Sequence, residues 1–256
     1  MDGRPEHSVD TLRLIVRQHL RSIPFENLTV LRGNVPPVDR DTLIDKMVSD
    51  RRGGYCFELN GLLAFGLEAL GYALRPMLAR VLWQKDVPGP RNHLFLRVEA
   101  EGMAWLADVG FGGPSPDVPI ALGAVAPDPY ALTEEPGLGT VLSRRMADGR
   151  MAALYCFQDE LVGPGDIDAA NWLAATLPSS IFRSRIVASL GDHADRRTLE
   201  GGRFARVRDT GKAEERWLRS AQEVSACLGR EFGLSVVDED ERAIVRVLGS
   251  VEEQSG

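Results

Sequence analysis

The chain has 256 residues, with 37 Asp and Glu against 30 Lys and Arg, a net charge of −7 and an isoelectric point near 5.2. That balance argues against nucleic acid as a general partner, and no apolar run reaches membrane-spanning length or reads as a signal-peptide core. The length suits one large domain or two to three small ones. Cys56, Cys156 and Cys227 are too scattered for a zinc site or a disulfide framework, which points to a reducing, cytoplasmic setting with no bound metal.

Residues 1–10 are short and polar. Helices are predicted over 9–20, 41–49 and 57–70, the last stopped by Gly71. The pattern then turns to strands over 74–83, 93–98, 103–109 and 151–157, with a compact stretch over 120–142. A helix near 168–175, short strands around 204–207, a helix over 214–232 and a mixed segment over 234–247 complete the chain. His7, His19 and His193 read as solvated, and Cys156 and Cys227 as packing residues.

The run Arg52-Gly53-Gly54-Tyr55-Cys56-Phe57-Glu58-Leu59-Asn60 carries the strongest chemical signal. Its glycines permit a sharp turn. Behind the cysteine, Leu59, Leu62, Leu63, Gly66, Leu67 and Leu70 follow helical spacing, so the thiol sits at the positive end of a helix dipole. There the thiolate, the nucleophilic form, is favoured. Locally this fits a nucleophile and a buried packing cysteine equally well.

A second segment shifts the balance. Leu94, Leu96 and Val98 alternate on one predicted strand, and Met103, Trp105 and Ala107 on the next. A four-residue loop over 99–102 pairs Val98 with Met103, Leu96 with Trp105, Leu94 with Ala107, and His93 with Asp108. The leucines take one face, and a one-residue slip would turn them outward. Cysteine, imidazole and carboxylate together form a nucleophile–base–orienter set for acyl transfer through a thioester on Cys56.

At these residues the chain resembles the arylamine N-acetyltransferases. The likeness rests on Ile23-Pro24-Phe25-Glu26-Asn27-Leu28, the run 52–60, His93-Leu94 and Asp108-Val109-Gly110-Phe111-Gly112-Gly113. Weaker signposts are Leu154-Tyr155-Cys156-Phe157, Asn171-Trp172 and Pro178-Ser179-Ser180-Ile181-Phe182. The resemblance implies an α+β fold: a helical bundle (1–71) carrying the cysteine, a β-barrel (72–165) carrying His and Asp, an α/β lid (166–256) and a cysteine-protease-like catalytic core. It implies Cys56, His93 and Asp108 as the catalytic triad and Phe25, Val81 and Phe111 at the aromatic-amine pocket. Gly110 and Gly112 fall on the side of acetyl-coenzyme A, a co-substrate rather than a resident cofactor. Glu26 and Arg52 read as a structural ion pair.

Three departures from the family pattern stand out. The usual N-terminal segment with a tyrosine and an Arg-Ile-Gly turn is missing, or the start codon is assigned late; Asn92 replaces a hydroxyl residue, and the loop around Pro127-Asp128-Pro129 differs. Coenzyme A would need a local basic patch, for which Arg183, Arg185, Arg203, Arg206 and Arg208 are candidates. The sequence carries no Walker-type or dinucleotide loop. The leading reading is acetyl transfer to an aromatic amine. The alternative within the same likeness is an amide synthase, which closes a macrolactam from a carrier-bound polyketide. A cysteine hydrolase is a third class, which the triad alone permits.

Overall fold

The computed structural model describes residues 7–85, 87–208 and 213–253, so residues 1–6 of the polar N-terminal stretch lie outside it. Helix α1 (Val9–Ser22) starts where the Ser8 hydroxyl accepts the Thr11 N–H at 3.2 Å. Leu12, Val16 and Leu20 form its buried stripe. His19, expected in solvent, lies three residues beyond Val16 and seven beyond Leu12, so the same periodicity carries it inward. It is 9% exposed, its Nε2 has no partner among the described residues, and burial lowers its pKa from 6.5 to about 4.

This gives a stability prediction with a definite sign. A base whose folded-state pKa is depressed binds its proton more readily once unfolded, so stability falls as pH drops from about 6.5 towards 4. That loss is on the order of 2–3 kcal/mol. His19→Leu should remove this component, flattening the melting temperature between pH 7 and pH 4.5 in thermal melts. An unchanged slope refutes it.

A two-residue strand, β1 (Phe25–Glu26), and a short helix, α2 (Leu28–Leu31), follow. The helix predicted over 41–49 is α3 (Arg40–Ile44), continued by a wider π-helical turn (Asp45–Ser49). Helix α4 (Cys56–Ala69) begins at the cysteine itself and buries Leu59, Leu63 and Leu67. Gly71, at φ +90°, ends it as expected. Its N–H bonds the Glu68 carbonyl at 2.9 Å, and the Tyr72 N–H bonds that of Leu67 at 3.0 Å.

Seven strands come next: β2 (Ala73–Val81), β3 (Arg91–Ala100), β4 (Met103–Ala107), β5 (Ile120–Ala121), β6 (Tyr130–Glu135), β7 (Gly139–Arg145) and β8 (Met151–Phe157). They form one antiparallel sheet in the order β5-β4-β3-β2-β8-β7-β6. Met77, Phe95, Leu106, Ile120, Tyr130, Leu142 and Leu154, one from each strand, meet in a single cluster, so the sheet curls around its own side chains. Among the described residues β5 and β6 are edges unpaired with each other, so the expected β-barrel is a curled, open sheet. Strands β5, β6 and the start of β7 occupy the stretch read as a compact loop. Their alternation is weak because β6 loses its burial towards the turn.

The β3–β4 hairpin differs from the predicted register by two residues. Ala100 pairs with Met103, Val98 with Trp105 and Leu96 with Ala107. The turn is only Glu101-Gly102, at φ +52° and +75°, the left-handed pair that a two-residue hairpin needs. A shift of two preserves the faces. Leu94, Leu96, Val98 and Ala107 pack on α4 residues Leu59, Leu63 and Leu67.

The remaining elements are α5 (Pro164–Thr176), α6 (Ile181–Ser184), β9 (Val187–Leu190), β10 (Asp195–Glu200), β11 (Arg203–Arg208), β12 (Ala213–Trp217), α7 (Ala221–Phe232) and α8 (Asp238–Glu253). A second sheet runs β1-β9-β10-β11-β12, joining the N-terminal strand to residues far along the chain. The helix predicted over 214–232 splits. Glu214 and Glu215 pair across strands with Arg208 and Arg203, and Ser220 caps a helix starting only at Ala221. The segment read as mixed is helix α8. Among the described residues no helix is long and apolar enough to cross a membrane.

Candidate active site

The motif before α4 is shaped by close backbone approach. A Cβ on Gly53 would lie 2.1 Å from the Pro24 carbonyl oxygen, and the Glu26 N–H bonds the Gly54 carbonyl at 2.9 Å. The turn thus docks on β1 and delivers Cys56 to the first position of α4. The Tyr55 hydroxyl donates to the side-chain carbonyl of Asn171 on α5, whose amide in turn holds the Pro36 carbonyl at 2.9 Å. Cys56, His93 and Asp108 are 3%, 3% and 1% exposed, so all three are buried.

His93 and Asp108 meet, though not as opposed residues. His93 pairs with Ala79 of β2, and the β3–β4 ladder ends at Leu96–Ala107. Asp108 lies just beyond β4, and the Gly110 N–H bonds its Oδ1 at 2.9 Å. Its Oδ2 accepts from His93 Nε2 at 2.8 Å. Burial opposes a charged imidazole, but the Asp108 carboxylate and its hydrogen bond, with a further contribution from Cys56, push His93 up to about 10. Burial likewise opposes the Asp108 carboxylate, yet His93, Asn60 and the Gly110 N–H hold it below the ordinary range. The Cys56 thiol also points at the Asn92 carbonyl, 3.9 Å away.

Asn60 carries a role that sequence reading passed over. Its amide donates to the Leu94 carbonyl at 2.7 Å and to Asp108 Oδ1 at 3.0 Å, and its carbonyl accepts the Val109 N–H at 3.0 Å. It therefore stitches α4 to β3 and to the Asp108 loop. The signal was present: Asn60 is four residues after Cys56, on the same helix face, and a polar residue there needs partners. Tyr155 was also missed as a site residue. Its ring lies 4.9 Å from that of His93, and burial, then Asp108, raise its phenol well above the usual range.

The other sequence-predicted residues surround this centre. Phe111 stands edge-on to His93 at 5.1 Å. Val81 pairs with Tyr155, so both project on the same sheet face as His93. The Phe25 ring lies 3.9 Å from where a Gly112 Cβ would sit. Gly110 is pressed against the start of α4, since a Cβ there would be 2.6 Å from Cys56 Cα. Glu26 and Arg52 approach to 3.6 Å, and Arg52 also binds Asp240 of α8 at 3.1 Å.

Four of the five arginines proposed as a basic patch are paired with carboxylates. Arg185, Arg203, Arg206 and Arg208 bind Glu200, Glu215, Asp195 and Glu214 at 3.2, 2.7, 2.6 and 2.6 Å, and Arg183 donates to the Thr176 carbonyl. On a sheet surface, opposite charges face one another across strands, which a linear charge run does not reveal. His193 is half exposed yet binds Asp117 at 2.7 Å. His7 packs on Tyr72.

A family model described as N-acetyltransferase matches residues 8–241. An arylamine N-acetyltransferase of Mycobacterium tuberculosis is 38% identical over 251 residues, spanning 94% of this chain and 88% of that one. The solved structure of Mycobacterium marinum arylamine N-acetyltransferase in complex with CoA superposes with a TM-score of 0.86 at 33% identity, covering 94% of both chains. A proansamycin X synthase of Amycolatopsis mediterranei is 29% identical over 96% of this chain and 92% of that one. Extended over almost the whole length, these similarities agree with the motifs around Cys56, His93 and Asp108, and the chain belongs to the arylamine N-acetyltransferase family of acyltransferases.

Proposed function

We propose that the enzyme transfers an acetyl group from acetyl-coenzyme A to an aromatic amine by a two-step mechanism through an acyl-Cys56. The observation that carries this is the buried His93–Asp108 pair, joined at 2.8 Å, beside a cysteine at the start of α4. With Nε2–H committed to Asp108, Nδ1 is left to exchange a proton with the thiol. The Cys56 thiolate attacks the thioester carbonyl, the bond to the coenzyme A sulfur breaks, and that sulfur leaves with the proton from His93. The amine then attacks the acyl-Cys56, His93 takes its proton, and the thiolate departs. The raised His93 favours the imidazolium that such a pair needs in its resting state.

Phe111 and Val81, grouped with His93 and Tyr155, supply an apolar face suited to an aryl ring, with Phe25 beside Gly112. Gly110 and Gly112 stay on the donor side. Gly110 serves there by having no side chain between the loop and Cys56. The three segments act as nucleophile carrier (1–71), base carrier (72–165) and lid (166–256), with helix against sheet as in a cysteine-protease core. Three free cysteines suit a cytoplasmic setting.

Intact-protein mass after mixing with acetyl-coenzyme A, with and without an aniline, tests this reading. The expected result is one acetyl adduct that is absent in Cys56→Ala and discharged by the aniline. A folded protein that gains no adduct points instead to the amide-synthase chemistry, with a carrier-bound acyl chain as donor. The similarity to proansamycin X synthase keeps that reading in view.

A further inference from the structure

The N-terminus of α4 holds a carboxylate that works against a thiolate. Glu58, the third residue of the helix, turns back so that Oε2 accepts the Tyr55 N–H at 3.1 Å. As a cap this stabilises the helix, but a buried negative charge two residues from Cys56 offsets the dipole that favours thiolate there. Lys46, in the π-helical turn, answers it. Its Nζ lies 2.5 Å from Glu58 Oε1 and 3.1 Å from the Thr29 hydroxyl. The carboxylate side chain is 2% exposed and the ammonium side chain 18%. The Arg52 N–H donates to the Lys46 carbonyl at 2.9 Å, tying this turn to the cysteine motif.

We propose that Lys46 and Glu58 are positioning residues for the nucleophile: Lys46 cancels the charge of the capping carboxylate, so that α4 keeps its cap while its end stays electropositive towards Cys56. This rests on the reading of Cys56 as nucleophile. Other charged groups face the pair. Glu26 lies close enough to disfavour the Glu58 carboxylate. It accepts the Leu28 N–H at 2.6 Å and sits 3.6 Å from Arg52. Arg52 is tied to Asp240 at 3.1 Å, and Arg32 lies 3.5 Å from that same carboxylate. Glu26 and Asp240 therefore have Arg52 and Arg32, whereas Glu58 depends on Lys46. Burial and Glu26 push the Glu58 carboxyl upward, and the Lys46 ammonium at 2.5 Å opposes them and favours its charged form.

The test is the rate of Cys56 alkylation by iodoacetamide across pH, read by intact and peptide mass on the full chain, with Cys56→Ala as blank. Glu58→Gln keeps an acceptor for the Tyr55 N–H and leaves Lys46 unopposed, so the acid midpoint should move down by about one pH unit. Lys46→Met should move it up by a similar amount, Lys46→Arg should leave it near wild type, and the double variant should return towards wild type. A merely structural role would not produce opposite shifts that cancel. Shifts in the same direction, or no shift in Glu58→Gln, overturn the proposal even if Lys46→Met fails to fold. A wild-type Cys56 that resists alkylation throughout overturns the nucleophile reading itself, and this proposal with it.

Discussion

Asp108→Asn should give a folded protein that has lost roughly four orders of magnitude in turnover, the scale seen when the orienting aspartate of a serine triad is changed in the same way. The wild-type carboxylate accepts from His93 Nε2 at 2.8 Å, Asn60 Nδ2 at 3.0 Å and the Gly110 N–H at 2.9 Å. All three are donors, so the position demands an acceptor on both oxygens. An amide supplies one oxygen, which the Asn60 and Gly110 donors claim, and its NH₂ is then turned towards His93. Nε2 must become the acceptor, and the ring proton moves to Nδ1, the wrong tautomer for taking a proton from the thiol. The charge balance shifts as well. Without the carboxylate, burial dominates and the imidazole is neutral at pH 7 instead of held up at about 10. In the wild type, the stability His93 gains from the pair is complete below 6.5 and is lost as pH rises through about 10. The variant should lack that alkaline loss. Steady-state acetyl transfer and melts at pH 7 and 10 check both effects. Near-wild-type turnover sinks the triad.

How much of this was legible in the chain depends on the range of the interaction that fixes each feature. Helix α4 and its stop at Gly71 follow from local periodicity and a single left-handed residue, and both read directly from sequence. So did β8, whose bounds, Met151–Phe157, match the predicted span. The hairpin was found with its faces correct but its register off by two, because Glu101 adopts a positive φ that a non-glycine residue does not advertise. Strand β12 hides in a charged run whose order depends on partners in β11, and His19 was placed in solvent although its spacing put it in the stripe. At the site, Cys56, His93 and Asp108 could be singled out because each residue type has a distinct chemistry, and the fold brings His93 and Asp108 into contact. Asn60, Lys46 and Glu58 were not assigned roles, since theirs emerge only when α4, β3 and the π-helical turn are brought together. The charge run 203–208 concealed its partners for the matching reason, since Arg203, Arg206 and Arg208 each pair with a carboxylate on a neighbouring strand.

Gly110→Ala tests the close contact between the Asp108 loop and α4 and should cost activity heavily, though less than Asp108→Asn. A methyl there would lie 2.6 Å from Cys56 Cα, 3.1 Å from the Cys56 carbonyl oxygen and 2.7 Å from Asn60 Nδ2. The first two are helix backbone and cannot swing aside. Asn60 is fixed by its bonds to Leu94, Asp108 and Val109. The loop carrying Asp108 and Phe111 must therefore lift away from α4. A displacement near 1 Å at a catalytic group is enough for about a hundredfold loss of rate. The overpacking should cost about 1–3 kcal/mol. Three residues on, a Cβ at Gly113 would meet only Thr198 Cγ2 at 3.7 Å, an ordinary distance, with no positive φ to strain. Gly113→Ala should stay within about 0.5 kcal/mol of wild type and keep its activity. Measuring kcat/KM and melting temperature for both variants separates the close seat of this loop on the nucleophile from a general intolerance of side chains in a glycine-rich turn. Equal losses in the two would show that the turn's flexibility, not its contact with Cys56, is what the glycines preserve.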